Sequence, residues 1–129
     1  MRRNRSRMSD ITLRQCQKNV DKWIQNIGVR YYSELTNTAV LMEEVGEVAR
    51  IMARVYGDQS FKKSDEQYDL ADEFADVFFV LVCLANQTGV DLTAAFQRNM
   101  TKKTRRDKDR HANNPNLDKP EPKRGSSLP

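Results

Sequence analysis

Two groups of acidic residues, spaced for helices and separated by a short polar connector, constrain this chain more than any other feature. They read Glu43-Glu44-Val45-Gly46-Glu47 and Glu73-Phe74-Ala75-Asp76. Residues three or four apart lie on one face of a helix, so Glu44 and Glu47 share a face, as do Glu73 and Asp76. A turn over residues 57–60 would let the two helices run antiparallel and bring four carboxylates together.

Four carboxylates at close range repel one another, and burying them without a counter-charge is costly. A hard divalent cation relieves this repulsion, and ligands that are all oxygen suit magnesium or manganese. The sequence therefore predicts a site for Mg²⁺ or Mn²⁺ between the two helices. For one Glu-Glu-x-x-Glu cluster alone, a solvated face with Glu47 paired to Arg50 is the simpler interpretation. The second cluster, which runs straight into an apolar segment, favours the metal site.

The apolar pattern around these clusters predicts an all-α fold of four helices. The first helix is expected to be capped by Asp10 or Thr12 and to end at Gly28, and the second to be capped by Thr36 or Asn37 and to end at Tyr56-Gly57. The third is expected to run from about Asp65 to Gln87, and the fourth to begin after Asp91. Residues 77–85 also contain strand-forming side chains, but the unbroken pattern from Leu70 favours helix.

The third predicted helix is apolar on every side over residues 77–85. A helix of this kind must be buried all round. A chain of 129 residues has little other mass to cover it. The sequence therefore predicts packing of this helix against other subunits.

Charge is distributed unevenly along the chain. Residues 10–97 carry eight basic and fourteen acidic side chains, whereas residues 1–9 carry four arginines and no acid. Residues 98–129 carry ten basic against four acidic side chains. We expect one helical domain over residues 10–110, a basic disordered arm over residues 1–9 and a disordered tail over residues 111–129. The acidic centre attracts metal cations, and the basic flanks attract phosphates.

Several classes of protein are excluded by composition. Cys16 and Cys83 have no spacing typical of a zinc site or of paired disulfides. The basic N-terminus lacks the apolar segment of a secretory signal, and the longest apolar run is too short to span a bilayer. A di-iron centre is disfavoured because His111 is the only histidine. We expect a reduced, cytoplasmic setting without a membrane partner.

The two acidic clusters, the apolar run over residues 76–86 and the closing basic-acidic segment over residues 106–110 together resemble the MazG-like nucleotide pyrophosphohydrolases of the all-α NTP pyrophosphatase superfamily. The resemblance spans roughly residues 10–110. It implies a four-helix MazG-like bundle that assembles as dimers or tetramers. It also implies Mg²⁺-dependent cleavage of a nucleoside triphosphate to the monophosphate and pyrophosphate, with house-cleaning of the nucleotide pool as a role.

The resemblance also implies roles for individual residues. By motif position, the metal ligands would be Glu44, Glu47, Glu73 and Asp76, and the phosphate contacts on the last helix would be Lys102, Arg105 and Arg106. Lys103 stands where the family usually has an aromatic residue. For the general base, the reaction chemistry points to Glu43 or Glu47. The candidates for binding the base are Trp23, Tyr31, Tyr32 and Asn86.

Two functions of other classes stay open at this point. A regulatory protein could bind a nucleotide without turnover, and a nucleic-acid-binding protein could use the basic flanks. The nucleic-acid-binding alternative leaves the acidic centre without a role unless it holds a metal, and metal-dependent turnover would separate the regulatory alternative from an enzyme. We therefore expect a nucleoside triphosphate substrate and no specific nucleic-acid partner.

Overall fold

The computed structural model describes residues 9–65, 67 and 69–118. Over these residues the chain forms four α-helices and no strand, which confirms the all-α prediction. The helices are α1 (Leu13–Trp23), α2 (Glu34–Val55), α3 (Leu70–Gln87) and α4 (Leu92–Ala112). A π-helical turn, Ile24–Gly28, follows α1, and single 3₁₀ turns occur at Lys63–Asp65 and Pro115–Leu117. Residues up to Thr93 form one compact unit, and those from Ala94 form another.

The first helix begins at one of its two predicted caps. The hydroxyl of Thr12 accepts a hydrogen bond from the Gln15 N–H at 3.1 Å, and the Gln15 side chain accepts one from the Thr12 N–H at 2.8 Å. This reciprocal pair is a capping box. It satisfies two backbone donors that the helix itself leaves unpaired, so Thr12 rather than Asp10 caps α1.

The predicted starts of α2 and α3 were wrong. Ser33 caps α2 by accepting a hydrogen bond from the Thr36 N–H at 3.2 Å, so neither Thr36 nor Asn37 is the cap. The Asp69 carboxylate caps α3 by accepting from the Ala71 N–H at 2.9 Å. Both segments offer several short polar side chains in succession. Sequence alone does not choose among such caps, because each satisfies the same backbone donors.

The helices α2 and α3 pack antiparallel, as predicted. Asn37 near the start of α2 bonds to Gln87 at the end of α3, with 2.8 Å between Nδ2 and Oε1. Glu44, farther along α2, lies opposite Glu73 in the first turn of α3. The buried apolar side chains come mainly from α3 and are Ile24, Ile51, Val80, Val82, Cys83 and Ala85.

A polar network ties α1 to α3. Asn86 Nδ2 donates to the Gln17 carbonyl at 2.9 Å and to the Tyr31 hydroxyl at 3.1 Å. Gln17 Nε2 returns a bond to Asn86 Oδ1 at 3.1 Å and donates to the Val90 carbonyl at 2.8 Å. The Tyr31 hydroxyl donates to Asp21 Oδ1 at 2.7 Å. Burial and then the bond to Asp21 raise the pKa of Tyr31 to about 12.

The chain turns sharply between the π-helical turn and α2. Val29 has φ 73° and ψ −54°, and the Arg30 N–H donates to the Gly28 carbonyl at 2.9 Å. These angles and this i→i+2 bond define a γ-turn of the rare, strained form. A positive φ is costly for a β-branched residue, so the surrounding contacts must hold Val29 in place.

One face of α3 stays exposed within a single chain, at Phe74, Phe78 and Leu81. The prediction of burial on every side is therefore not met by intrachain contacts. The helix α2 carries a second exposed apolar row at heptad-like spacing, formed by Leu35, Met42, Val45 and Met52. We call these two sets the outer apolar rows.

The remaining predictions about chain organisation stay untested. Residues 1–8 of the expected arm, and residues 119–129 of the expected tail, lie outside the described residues. Regular structure passes the expected boundary at residue 110, since α4 ends at Ala112 and a 3₁₀ turn follows. Within the described part of the chain, no single helix is long and apolar enough to cross a membrane. Only α3 and α4 counted together across their break reach that length and composition.

Replacing Tyr31 with phenylalanine is expected to lower the free energy of unfolding by about 1–3 kcal/mol, because Asp21 and Asn86 lose a partner. The unfolded phenol has a pKa near 10. The stabilisation is therefore complete below pH 10 and lost as the pH rises through the folded value of about 12. Urea unfolding at neutral pH measures the loss, and absorbance titration identifies the late-ionising phenol.

The matched control is Tyr56→Phe, because Tyr56 is 73% exposed. It is expected to leave the free energy of unfolding unchanged. Equal effects of the two substitutions would contradict the role of the Tyr31 network.

Candidate metal centre

The pairing of α2 with α3 brings three carboxylates together. Glu44, Glu73 and Asp76 each place one carboxylate oxygen within 4.8 Å of the others. Glu73 is only 6% exposed, whereas Glu44 is half-buried and Asp76 is exposed. The cluster therefore runs from the interior to the surface, where an ion from solvent can reach it.

The electrostatics of the cluster favour a cation. Burial is the largest cause that raises the pKa of Glu73, followed by the charges of Asp76 and Glu47, while Arg50 lowers it. Burial also leads the causes that raise the pKa of Glu44, followed by Asp76, Glu73, Glu47 and Glu43. The neighbouring acids thus make ionisation of Glu44 and of Glu73 harder. A divalent cation among them would reverse that effect.

Glu47, the fourth predicted ligand, lies beside this group. It is close enough to raise the pKa of both Glu44 and Glu73. Its Oε2 accepts a hydrogen bond from Arg50 Nε at 3.2 Å, the pairing expected for a solvated helix face. Arg50 also sits near enough to Glu73 to offset part of its repulsion. The role of Glu47 as a metal ligand stays a prediction.

The donor set fits magnesium or manganese. It consists of carboxylate oxygens, which hard divalent cations prefer, and it includes no nitrogen or sulfur donor. Oxygens on opposite sides of Mg²⁺ lie about 4.2 Å apart, because each is about 2.0–2.1 Å from the ion. Oxygens within 4.8 Å of one another therefore need only small side-chain movements to share one ion.

An aromatic cavity of about 240 Å³ lies beside the carboxylates. Its walls include Trp23, Tyr31 and Tyr32, three of the residues predicted to bind a base. Trp23 is 48% exposed, and its ring meets Phe79 edge to face at 5.6 Å and 88°. A flat ligand could therefore contact Trp23 while part of that ring stays in solvent.

The cavity and the carboxylates occupy consecutive turns of the same two helices. Val40, which lines the cavity, is one turn before Glu44 on α2. Val80, which also lines it, is one turn after Asp76 on α3. One helical turn rises about 5.4 Å. With a cation held by the carboxylates, the arrangement suits a ligand that carries anionic groups at one end and a flat ring at the other.

The amide in this cavity differs from the predicted one. Asn86 lines a neighbouring cleft with Gln17 and Val90, and its amide is occupied by the polar network between α1 and α3. Asn37 lines the cavity instead and is 5% exposed. Helical spacing places Asn37 two turns before Glu44 on the same face of α2, but that spacing alone does not show which residues line a cavity.

The predicted phosphate contacts lie on α4, in the second unit. Lys102 and Arg105 are one turn apart and line an open cleft with Arg98. Arg106 is held by Asp107 through two bonds, Nε to Oδ1 at 3.0 Å and Nη2 to Oδ2 at 2.8 Å. Lys102 and Arg105 therefore share a basic face, whereas Arg106 is engaged within its own helix. Their role toward phosphate stays a prediction.

The chain is similar in sequence to known proteins. Residues 32–111 match the MazG nucleotide pyrophosphohydrolase domain. An uncharacterized protein of Bacillus subtilis (strain 168), YpjD, is 42% identical over 103 residues, which are 80% of this chain and 93% of that protein.

Two solved structures share the fold. The crystal structure of Bacillus subtilis YpjD, described as a candidate pyrophosphatase, superposes with a TM-score of 0.66 at 40% identity, covering 74% of this chain and 95% of that one. The Bacillus-conserved MazG protein, described as a nucleotide pyrophosphohydrolase, superposes with a TM-score of 0.62 at 35% identity, covering 74% of this chain and 91% of that one.

Glu73→Gln is expected to raise the melting temperature of the metal-free protein at pH 8 by about 2–6 °C, since it removes a buried charge that its neighbours repel. The gain should shrink at pH 5. At that pH the raised pKa of Glu73 keeps its carboxyl protonated in a larger fraction of folded molecules than of unfolded ones. This protonation stabilises the folded state, and the stabilisation is lost as the pH rises. Mg²⁺ should raise the melting temperature of the wild type and not of the variant.

Thermal melts in EDTA and in Mg²⁺ measure both effects. Glu34→Gln is the matched control, because Glu34 is exposed in the first turn of α2 and favours the helix dipole. It should lower the melting temperature slightly and equally in both conditions. A Glu73→Gln protein that melts lower in EDTA and still responds to Mg²⁺ would contradict a metal site at the cluster.

Proposed function

The chain belongs to the MazG nucleotide pyrophosphohydrolase family, and from this membership we propose that it hydrolyses nucleoside triphosphates to the monophosphate and pyrophosphate with Mg²⁺ or Mn²⁺. One observation carries the proposal. Three carboxylates within 4.8 Å of one another stand one helical turn from an aromatic cavity. A metal-bound triphosphate and a nucleobase would occupy these two neighbouring places. The description of the Bacillus MazG protein as a nucleotide pyrophosphohydrolase supports the reaction class.

In this proposal Glu44, Glu73 and Asp76 hold the metal, and Glu47 lies beside them on the next turn of α2. The bound ion supplies positive charge to the phosphate oxygens and makes water more acidic. The chain's part is to hold these acids in place before the substrate arrives. The packing of α2 against α3 does so, because it buries Glu73 and half-buries Glu44.

Proton removal is assigned to an acid beside the cluster. The oxygen of a water molecule forms a bond to the α-phosphorus, the bond from that phosphorus to the bridging oxygen breaks, and pyrophosphate leaves. A carboxylate accepts the proton of the attacking water. Glu47 suits this role better than Glu43, since it lies near both Glu44 and Glu73 and is oriented by Arg50.

The nucleobase is assigned to the aromatic cavity, against Trp23 and between Tyr31 and Tyr32. Stacking of a base on an aromatic ring contributes about 1–3 kcal/mol. Asn86 is assigned a positioning role, because its amide holds Tyr31 through the hydroxyl. Lys102 and Arg105 are proposed to bind phosphate oxygens, on the ground of their shared basic face on α4. Cytoplasmic location and house-cleaning of the nucleotide pool stay predictions.

We also propose that the protein is a homo-oligomer joined through the outer apolar rows. Each row exposes several large apolar side chains along one helix, and exposed apolar patches of this kind mark interaction surfaces. A second copy offers the same apolar spacing and therefore a self-complementary partner. A dimer or a tetramer of this kind would bury Phe74 and Phe78 as the sequence predicts.

The activity is tested with a panel of ribo- and deoxyribonucleoside triphosphates, assayed with Mg²⁺ or EDTA in ¹⁸O-water. We expect monophosphate and pyrophosphate, with the label in the monophosphate because water attacks the α-phosphorus. Glu44→Gln, Glu73→Gln and Asp76→Asn should each lower kcat/KM by at least about a hundredfold. Glu34→Gln should leave it unchanged.

Other products would reject the proposal in defined ways. Diphosphate with orthophosphate would place the attack on the γ-phosphorus. Mg²⁺ binding without turnover of any nucleotide would favour a regulatory nucleotide-binding protein. The same assay tests the basic face of α4, where Arg105→Gln should raise KM for the triphosphate about tenfold and leave the metal requirement unchanged.

The oligomer is tested by light scattering during gel filtration. The wild type is expected to have at least twice the 15.0 kDa mass of one chain. Phe78→Asp should produce a monomer, because it places a charge within the buried rows. Phe61→Asp, at an exposed phenylalanine of the connector, is the matched control and should leave the mass unchanged. A wild-type monomer at micromolar concentration would disprove the interface.

A further inference from the structure

A relay of two side-chain amides ends at the wall of the aromatic cavity. Gln87 Nε2 donates to the backbone carbonyl of Tyr32 at 2.6 Å. Asn37 Nδ2 donates to Gln87 Oε1 at 2.8 Å. The relay therefore joins the end of α3, the start of α2 and the segment that carries two of the cavity's aromatic residues.

The relay has only one consistent direction. A backbone carbonyl accepts and cannot donate, so Gln87 must present its NH₂ group to Tyr32. Gln87 then presents its carbonyl oxygen to Asn37, which must answer with its own NH₂ group. The orientation of the Asn37 amide is thus set by the carbonyl of Tyr32, two hydrogen bonds away.

This orientation leaves one particular atom for a ligand. Asn37 lines the cavity, and among the described residues no donor reaches its Oδ1. The backbone N–H of Asn37 is used within α2, where it bonds to the Ser33 carbonyl. We take Oδ1 to be the atom of Asn37 that faces the cavity, because Nδ2 is bonded to Gln87, so a base that fills the cavity would displace solvent from Oδ1. Leaving that oxygen without a donor would then weaken binding of the base.

The nucleobases differ in what they bring to such an oxygen. Cytosine and adenine carry an amino group where uracil, thymine and hypoxanthine carry a carbonyl. The amino group donates to Oδ1, whereas a carbonyl would set two acceptors against each other. The aromatic walls cannot make this distinction, because every base has a π-face on which to stack.

We propose that Asn37 selects nucleotides whose base carries this amino group, cytosine or adenine, and that Gln87 is the positioning residue that keeps Asn37 an acceptor. The inference rests on the proposed function in taking the cavity as the base site. It goes further in naming the substrate class and the two residues responsible. Asn86, the amide predicted from the sequence, has no part in this selection.

The test measures binding separately from turnover. Trp23 is the only tryptophan in the chain, so its fluorescence reports on the cavity. Wild-type protein in Mg²⁺ is titrated with the monophosphates of cytidine, uridine, adenosine and inosine, which are products of the proposed reaction and are not cleaved further. We expect cytidine monophosphate to bind more tightly than uridine monophosphate, and adenosine monophosphate more tightly than inosine monophosphate. Each pair should differ by at least about tenfold in Kd, because the weaker ligand leaves Oδ1 without a donor.

Two variants separate selection from structural support. Asn37→Leu introduces a side chain of similar size without the amide. It should bring both Kd ratios close to one by weakening the binding of cytidine and adenosine monophosphate. Gln87→Met retains Asn37 and frees its amide to turn its NH₂ group toward a carbonyl. This variant should also lower both Kd ratios, but it should do so by strengthening the binding of uridine and inosine monophosphate. A purely structural role for Gln87 would weaken all four ligands alike.

Asn113→Leu, at an exposed asparagine beyond α4, is the matched control and should change neither ratio. Thermal melts confirm that each variant folds. If Asn37→Leu does not fold, the gain of uridine and inosine binding in Gln87→Met decides the matter.

The outcomes distinguish this inference from the proposed function. Equal binding of both members of each pair by the wild type would overturn the inference, as would ratios that stay unchanged in both variants. Hydrolysis of triphosphates by a protein in which no monophosphate perturbs Trp23 would also overturn it and leave the pyrophosphohydrolase function standing. The expected binding ratios without hydrolysis of any triphosphate would support the inference and refute the proposed activity.

Discussion

The burial of the Glu73 carboxylate opposite Glu44 is the interaction on which the rest of the site depends. The apolar part of α3 drives its packing against α2 and α1, since a fully buried aliphatic side chain contributes about 1.5–3 kcal/mol. Val80, Val82 and Cys83 follow Glu73 on the same helix, so packing them carries the acid inward. The fold thus accepts an electrostatic cost at its centre, and Arg50 offsets only part of it.

The same helix pair sets the distance between the two halves of the site. The carboxylates and the side of the cavity formed by α2 and α3 lie on successive turns of those helices, so the distance between them follows from helix rise. A slip of either helix by one residue would rotate Glu44 or Asp76 away from the cluster. Sites built on regular elements hold their groups more accurately than sites built on loops.

The architecture and the acidic cluster were predictable because both depend on helical periodicity. That periodicity identified four helices and brought Glu44, Glu73 and Asp76 to one place. It did not identify Asn37, because facing the cavity depends on how α2 is rotated and where α1 and the Tyr31–Tyr32 segment settle. The predicted start of α2 was wrong for a local reason, because Ser33 and its polar neighbours can each accept a capping hydrogen bond from the backbone. Such choices depend on tertiary contacts that no short window of sequence contains.

The γ-turn at Val29 lies in the segment that forms one wall of the cavity, and we expect the residues of this segment to open together. A valine at φ 73° tends to leave that conformation, and the bonds that Tyr31 and Tyr32 make with α1 and α3 oppose this tendency. Losing one of these bonds should therefore favour release of the turn. Residues 28–33 should consequently open and close as one unit, with a shared rate of amide hydrogen exchange. Access to the cavity is then governed by a local unfolding equilibrium, and a ligand that holds the segment closed slows that exchange.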